Sequence, residues 1–452
     1  MTDKICGLGV IGCGTFCDAY LRNLGPVYRN VRPVGCADLN TEAAQAAAAR
    51  WNIPKVYTTE EMLADPAVDI VLILTNPGSH YSLTMQALKA GKHVYCEKPL
   101  ATSLEQAHEI VAFAEEQGLF VGSAPDTFLS PEFQTVRKLI DDGQIGKVIS
   151  VTANYVGPGA DLWHPNPGFL YKKGGGPVLD MAPYFLTTLV SMLGPIEQLF
   201  CFANRGFDVR QIHGADVSVE VMTNYCGVLQ FAGGAVGNIN MSYDLWKSDL
   251  PGLEIYGTEG VIIAPDPNTM MGPVKLLKAA EFKAAVEAKE IIPQKLEAIY
   301  GPESFGLFRE IETIAPRRGN ERGSGVSDMA SAIAEGRKPR VSAELCRHIT
   351  EAINAFNVCV ETGKPYQMTT SCQRPEALYR CLPWNCLNYT ISQTATPALR
   401  LWTRCPLPSG REKSTPWWAK TGPANPLSSR PSPARCSPMR ARSSLTGSPT
   451  PS

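Results

Sequence analysis

Apolar and helical patterns alternate along residues 5–76. Residues 5–11 (ICGLGVI) form a short apolar run, residues 15–24 read as helix, and residues 32–38 (RPVGCAD) are apolar again. An alanine-rich helix is predicted over residues 41–51, and residues 69–75 (DIVLILT) are almost continuously apolar. A run of that kind marks a strand buried on both faces, as in a parallel sheet. A helix over 81–90, closed by Gly91, and a strand over 93–96 continue the series. Strict alternation of strand and helix predicts an α/β, doubly wound parallel sheet.

After about residue 125 the period changes. Residues 148–155, 217–224, 228–231, 235–243 and 252–256 alternate apolar and polar side chains, with glycine-bearing turns between them. Period two predicts an open, mostly antiparallel sheet with one covered face. A helix over 176–193 separates the first of these strands from the rest, and an amphipathic helix is predicted over 342–362. The expected organisation is an α/β domain over 1–125, an α+β domain over 126–376 and a tail over 377–452. The tail is Ser/Pro/Arg-rich, lacks hydrophobic periodicity from about residue 385, and is expected to be disordered. It reads equally as a regulatory or binding tail and as a segment never selected to fold.

Charge and cysteine usage narrow the class. The formal net charge of −1 offers no bulk field to nucleic acid or an anionic membrane. Residues 377–452 hold ten basic side chains and one acid, so the body is acidic and the tail basic. No basic-aromatic pattern of a nucleic-acid reader occurs in residues 1–376. Of fourteen cysteines, several sit inside apolar runs, there is no CxxC pair, and the six histidines lack metal spacing. Reduced thiols in a cytoplasmic protein are therefore expected, with no metal. The first apolar run is cut by Gly7, Gly9 and Gly12 and does not read as a signal peptide, and no apolar stretch is long enough to span a bilayer.

Candidate chemistry sits at strand ends. Gly12-Cys13-Gly14-Thr15-Phe16-Cys17 lies between the first strand and the first helix and resembles the dinucleotide fingerprint GxGxxG, with Cys17 at the third glycine. Asp38 ends the second strand, where a carboxylate accepts hydrogen bonds from ribose hydroxyls and repels a 2′-phosphate. No Arg or Lys follows in Leu39-Asn40-Thr41, so NAD is expected rather than NADP. Thr75 and Asn76 end the third strand, and His80 begins the next helix; Asn76 and His80 are expected at the cofactor's ribose. Glu97-Lys98-Pro99 closes the fourth strand, and Lys98 reads either as a strand-end ion pair with Glu97 or as a catalytic group. A lysine partly desolvated beside a cationic nicotinamide is expected to have a lowered pKa.

GVIGCGTFCDAYL, CADLN, LTNPGSHYSLTMQALKAGKHVYCEKPLATS and GGGPVLDMAPY together resemble the Gfo/Idh/MocA family of NAD(P)-dependent oxidoreductases, over roughly residues 4–376. The resemblance implies an N-terminal Rossmann domain followed by a substrate-binding and oligomerisation domain. It implies that Lys98 lies at the nicotinamide and assists proton transfer, and that Glu97 and Lys98 border the cofactor. Asp180 and Tyr184, at i, i+4 on the helix expected over 176–193, share one face. The family typically carries an aspartate and a histidine at these two positions, and tyrosine replaces the histidine here. Three readings follow: Tyr184 acts as acid/base with Lys98, Lys98 acts alone, or His164 supplies an imidazole. Asp126, Tyr155, Trp163 and His164 are further candidates for binding a polyol such as a sugar or cyclitol. The family also implies a homodimer or homotetramer. The rival functions are a non-catalytic dinucleotide sensor and an NAD-retaining redox lyase or glycosidase.

Overall fold

The computed structural model describes residues 5–316 and 322–381. Most of the tail expected over 377–452 lies outside the described residues. The first half alternates as its pattern requires: β1 (Cys6–Ile11), α1 (Thr15–Leu21), β2 (Val31–Ala37), α2 (Thr41–Trp51), α3 (Thr59–Ala64), β3 (Ile70–Ile73), α4 (Pro77–Lys89), β4 (His93–Cys96), α5 (Leu104–Gln117) and β5 (Val121–Ser123). The five strands pair in parallel in the order β2-β1-β3-β4-β5. Every residue of β1 and β3 is buried, which is why both read as unbroken apolar runs. Helix α4 starts four residues before the expected position, because Pro77 takes its first turn, where a missing N–H costs nothing.

The second half comprises α6 (Pro131–Asp141), β6 (Val148–Val156), α7 (Pro177–Asp180), α8 (Ala182–Leu193), β7 (Ile196–Asn204), β8 (Val209–Ile212), β9 (Ala215–Ser218), β10 (Asn224–Phe231), β11 (Val236–Ser242), β12 (Leu253–Gly257), β13 (Gly260–Ala264), β14 (Val274–Lys278), α9 (Ala279–Glu287), α10 (Ile292–Tyr300), β15 (Arg309–Ile311), α11 (Ser324–Glu335), α12 (Ala343–Thr362) and β16 (Tyr366–Gln367). Nine strands form one sheet in the order β15-β14-β13-β12-β6-β11-β10-β7-β16. All neighbours are antiparallel except β6 and β11. Alternate residues of β10 are buried, as a one-sided sheet requires.

Three expectations are corrected. The helix expected over 176–193 breaks at Met181, because Pro183 cannot donate to a preceding turn. The two strands expected over 217–224 and 228–231 are instead a hairpin strand, β9, and one unbroken strand, β10. Gly227 does not interrupt β10; it makes room for Phe356, whose ring would lie 2.9 Å from an added Cβ. Strands β5, β7, β8 and β13 to β16 lie outside the expected set.

The two sheets belong to one compact unit, and the late helices tie them together. Helix α11 returns to the first sheet, where Asn30 Nδ2 donates to Ser327 O at 2.8 Å. Helix α12 reaches both: Ser123 N–H in β5 donates to Cys346 Sγ at 3.1 Å, and Phe356 O accepts from Cys201 Sγ in β7. Among the described residues, no helix is long and apolar enough to cross a membrane, and no group of His, Cys, Asp and Glu has metal-binding geometry.

Candidate active site

The glycine loop follows from backbone geometry. Gly12 has φ +100°, and a Cβ there would lie 2.8 Å from the Leu74 carbonyl carbon, so only glycine fits. Gly14 faces open space, with nothing within 4 Å of an added Cβ, and Gly14, Thr15 and Phe16 are exposed. Cys17 is buried and packs α1 onto the sheet, as the third fingerprint position requires. Asp38 ties the loop to β2: Oδ2 accepts from Cys13 N–H at 2.7 Å and Oδ1 from Asn40 N–H at 2.8 Å. Asn76 is exposed and Thr75 half-buried at the end of β3. A bare loop beside a half-buried carboxylate fits a dinucleotide.

Lys98 lies at the carboxyl edge of the same sheet, its peptide with Pro99 cis. Its Nζ donates to the Asp180 carbonyl at 2.8 Å and to Asp180 Oδ1, and it stands 5.6 Å from the centre of the Tyr184 ring. The ion pair of the alternative reading, with Glu97, does not form. Glu97 is buried, with Oε1 accepting from Tyr20 at 2.7 Å and Oε2 from Lys98 N–H at 3.1 Å. Its carboxylate is thus bonded within the protein at both oxygens. The lowering expected for Lys98 beside a bound nicotinamide is opposed by the protein's own groups. Burial pulls it down, but Asp180, then Tyr184 and Glu97, outweigh burial and raise it.

Asp180 and Tyr184 do meet at Lys98, although Met181 breaks the helix between them. Lys98 and Asp180 side chains keep 13% and 29% of their surface exposed, while Tyr184 is buried. Three expected residues lie elsewhere or at the rim. His80 is fully buried, its Nδ1 2.7 Å from Pro99 O and its Nε2 3.0 Å from Thr75 O; it braces two strand ends and cannot reach a ribose. Asp126 is also fully buried, its Oδ2 accepting from Gly323 and Gly325 N–H at 2.9 and 2.8 Å, so it anchors α11 rather than substrate. Trp163 is 73% exposed and packs edge-on against His164, whose Nδ1 accepts from Asn166 N–H at 3.0 Å. Tyr155 packs against Phe185 and Tyr243.

Sequence reasoning missed three residues. Tyr243 donates to Asp180 Oδ2 at 2.5 Å. Arg322 donates to the Tyr184 hydroxyl at 3.1 Å. Arg210 holds the Tyr243 segment, donating to the Asp161 and Asp244 carboxylates, each at 2.7 Å. Asp180 is held below the ordinary carboxyl range: burial raises its pKa, but the Lys98 charge and the Lys98 and Tyr243 hydrogen bonds prevail.

Comparison with known proteins gives the family and the fold. Residues 6–124 match the oxidoreductase family with NAD-binding Rossmann fold, and residues 133–263 match the GFO/IDH/MocA C-terminal domain. The 1,5-anhydro-D-fructose reductase of Ensifer adhaerens is 31% identical over 255 residues, covering 54% of this chain and 72% of the relative. The trans-1,2-dihydrobenzene-1,2-diol dehydrogenase of Mus musculus is 30% identical over 260 residues, covering 56% and 72%. In fold, a levoglucosan dehydrogenase solved with NADH and levoglucosan superposes with a TM-score of 0.67 at 20% identity, covering 81% of this chain and all of that one. The chain belongs to the Gfo/Idh/MocA family of NAD-binding oxidoreductases.

Proposed function

We propose that the protein is an NAD-dependent oxidoreductase that moves hydride between a hydroxyl-bearing carbon of a carbohydrate or cyclitol and nicotinamide. The observation that carries this reading is the Lys98–Asp180 pair, partly exposed at the carboxyl edge of the sheet that bears the glycine loop. The nearest functional analogy is chemical: the named relatives act on an anhydrosugar and on a cyclic diol. On this reading residues 1–125 hold the dinucleotide and residues 126–376 the substrate. Gly12, Gly14, Thr15, Phe16, Thr75 and Asn76 border the cofactor. Asp38 accepts from its ribose hydroxyls, and the absence of a cation at Leu39 and Asn40 favours NAD over NADP. When bound, the nicotinamide supplies or accepts the hydride.

The protein's own side chains position the substrate and handle its proton. Lys98 Nζ donates to the reacting oxygen and stabilises negative charge there. Asp180 fixes the ammonium and, through its exposed edge, a neighbouring hydroxyl. On this reading Tyr184 is the proton donor and acceptor, with its ring centre 5.6 Å from Lys98 Nζ. Trp163 and His164 form an aromatic rim for a sugar ring. The outer face of the nine-stranded sheet, with Phe202, Val228 and Val236 exposed, supports self-association.

The test is NADH formation by the purified protein over aldoses, cyclitols and cyclic diols, with NADP in parallel. Lys98→Ala is expected to lower kcat by about 10²–10⁴-fold. Unchanged turnover in that variant, or substrate loss without NADH, would reject the hydride-transfer reading and favour the transient-oxidation alternative.

A further inference from the structure

Arg322 lies just ahead of α11 and is 138 residues from Tyr184 in sequence, yet the two are hydrogen-bonded. Its Nη2 donates to the Tyr184 hydroxyl and to Asn268 Oδ1, both at 3.1 Å. Its guanidinium carbon lies 5.3 Å from the centre of the Tyr184 ring and 5.6 Å from that of Phe16 in the glycine loop. Arg322 is 7% exposed, and its backbone carbonyl accepts from Asn23 Nδ2 at 2.8 Å. The side chain therefore spans the glycine loop, helix α8 and the turn between β13 and β14.

A guanidinium only donates hydrogen bonds and keeps its protons in proteins. The Tyr184 oxygen must be the acceptor in this contact, so its own O–H proton is left to point elsewhere. The charged groups facing Tyr184 are Arg322 and Lys98 on the cationic side and Glu97 and Asp180 on the anionic side. Burial raises the phenol's pKa, and the two cations, Arg322 foremost, work against that rise.

We propose that Arg322 is a positioning residue for acid/base chemistry: it holds the Tyr184 oxygen as acceptor on its inner side, directs the phenolic proton to the substrate oxygen, and stabilises the tyrosinate that remains. The inference rests on the reading of Tyr184 as proton donor and acceptor. In the reducing direction the O–H bond of Tyr184 breaks and a new O–H bond forms on the substrate's carbonyl oxygen. The carbonyl carbon meanwhile takes hydride, with its electron pair, from reduced nicotinamide. Oxidation of the alcohol reverses both transfers. A phenol has an ordinary pKa near 10, far above that of an imidazole, so a tyrosine in this role needs cations beside it.

The experiment uses the full chain with Arg322→Gln, Arg322→Lys and Tyr184→Phe. It reads the pH profile of kcat and the ultraviolet titration of tyrosinate, with the Tyr184→Phe protein as the blank that isolates Tyr184. Arg322→Gln is expected to move the Tyr184 titration to higher pH and to lower kcat about 10–100-fold, with a smaller change in KM. Arg322→Lys retains the charge but not the planar guanidinium that reaches both Tyr184 and Asn268, so its titration moves up by less and part of kcat returns. Should Arg322→Gln not fold, the lysine variant reads the same point. A Tyr184 titration and kcat unmoved by either substitution would overturn the inference. If Tyr184→Phe also loses kcat and the tyrosine limb of its profile, the acid/base reading stands and only the role of Arg322 falls. If Tyr184→Phe keeps the wild-type kcat and profile, the acid/base reading itself falls.

Discussion

Asp180 divides its two oxygens between two donors. Oδ1 pairs with Lys98, and Oδ2 accepts the Tyr243 hydroxyl at 2.5 Å. A carboxylate held at both ends cannot rotate, so the ammonium it positions is held as well. Removing the phenolic donor in Tyr243→Phe takes away one hydrogen bond to a charged group, worth about 1.5–3 kcal/mol. We expect kcat to fall about 10–100-fold with little change in KM. The Asp180 pKa should rise, since Tyr243 helps to hold it low, so the acid limb of the activity profile moves to higher pH. A pH–rate profile identical to wild type would show that Tyr243 is a packing residue only. Lys98 and Asp180 were legible in sequence because each sits in a local motif. Tyr243 and Arg322 were not, because their partners lie 63 and 138 residues away and nothing in their own neighbourhood marks them. The Asp180 contact that raises the Lys98 pKa was illegible for the same reason: it spans 82 residues.

Strong apolar patterns fixed elements well, and prolines and glycines misled where tertiary packing used them differently. Pro183 splits the helix expected over 176–193, yet Asp180 and Tyr184 still converge, because α7 and α8 both pack beside Lys98. Asp126 shows the opposite error. Its place after β5 suggested a substrate ligand, whereas its Oδ2 caps α11 through Gly323 and Gly325 N–H. Sequence could not reveal this, since the cap joins segments 197 and 199 residues apart. Burial raises the Asp126 pKa against those hydrogen bonds and Arg322, so the cap stabilises α11 at a desolvation cost. Asp126→Ala leaves two buried donors unpaired and is expected to lose about 2–3 kcal/mol of stability, with Asp126→Asn losing less. Urea denaturation of the three proteins measures this. Equal stability with a raised substrate KM would restore Asp126 to the substrate site.

At the scale of the whole molecule, the parallel sheet was legible because burial on both faces leaves a signature within each strand. The joining of the two sheets was not, because it depends on contacts that α11 and α12 make across the chain. One of these gives the molecule a pH-dependent stability. His348 on α12 is fully buried; its Nε2 accepts from Ile196 N–H at the start of β7, at 3.0 Å. Thr370 spends its hydroxyl proton on Glu351, so its oxygen accepts from His348 Nδ1 at 3.0 Å, and the imidazole is neutral with its proton on Nδ1. Burial, opposed by Glu351, pushes the His348 pKa down from 6.5 to about 4. The folded-state value lies below the unfolded one, so the unfolded chain binds the proton first as pH falls. Stability is therefore full above the unfolded value and is lost as pH drops toward the folded one. Across that window His348 alone accounts for about 3 kcal/mol. His348→Gln keeps an acceptor for Ile196 N–H without a titrating ring. Its urea midpoint should fall less steeply than that of wild type between about pH 7 and about pH 4. Parallel curves for the two proteins would mean that the acid sensitivity belongs to carboxylates held low, Asp141, Asp180 and Glu351 among them, and that His348 is no part of it.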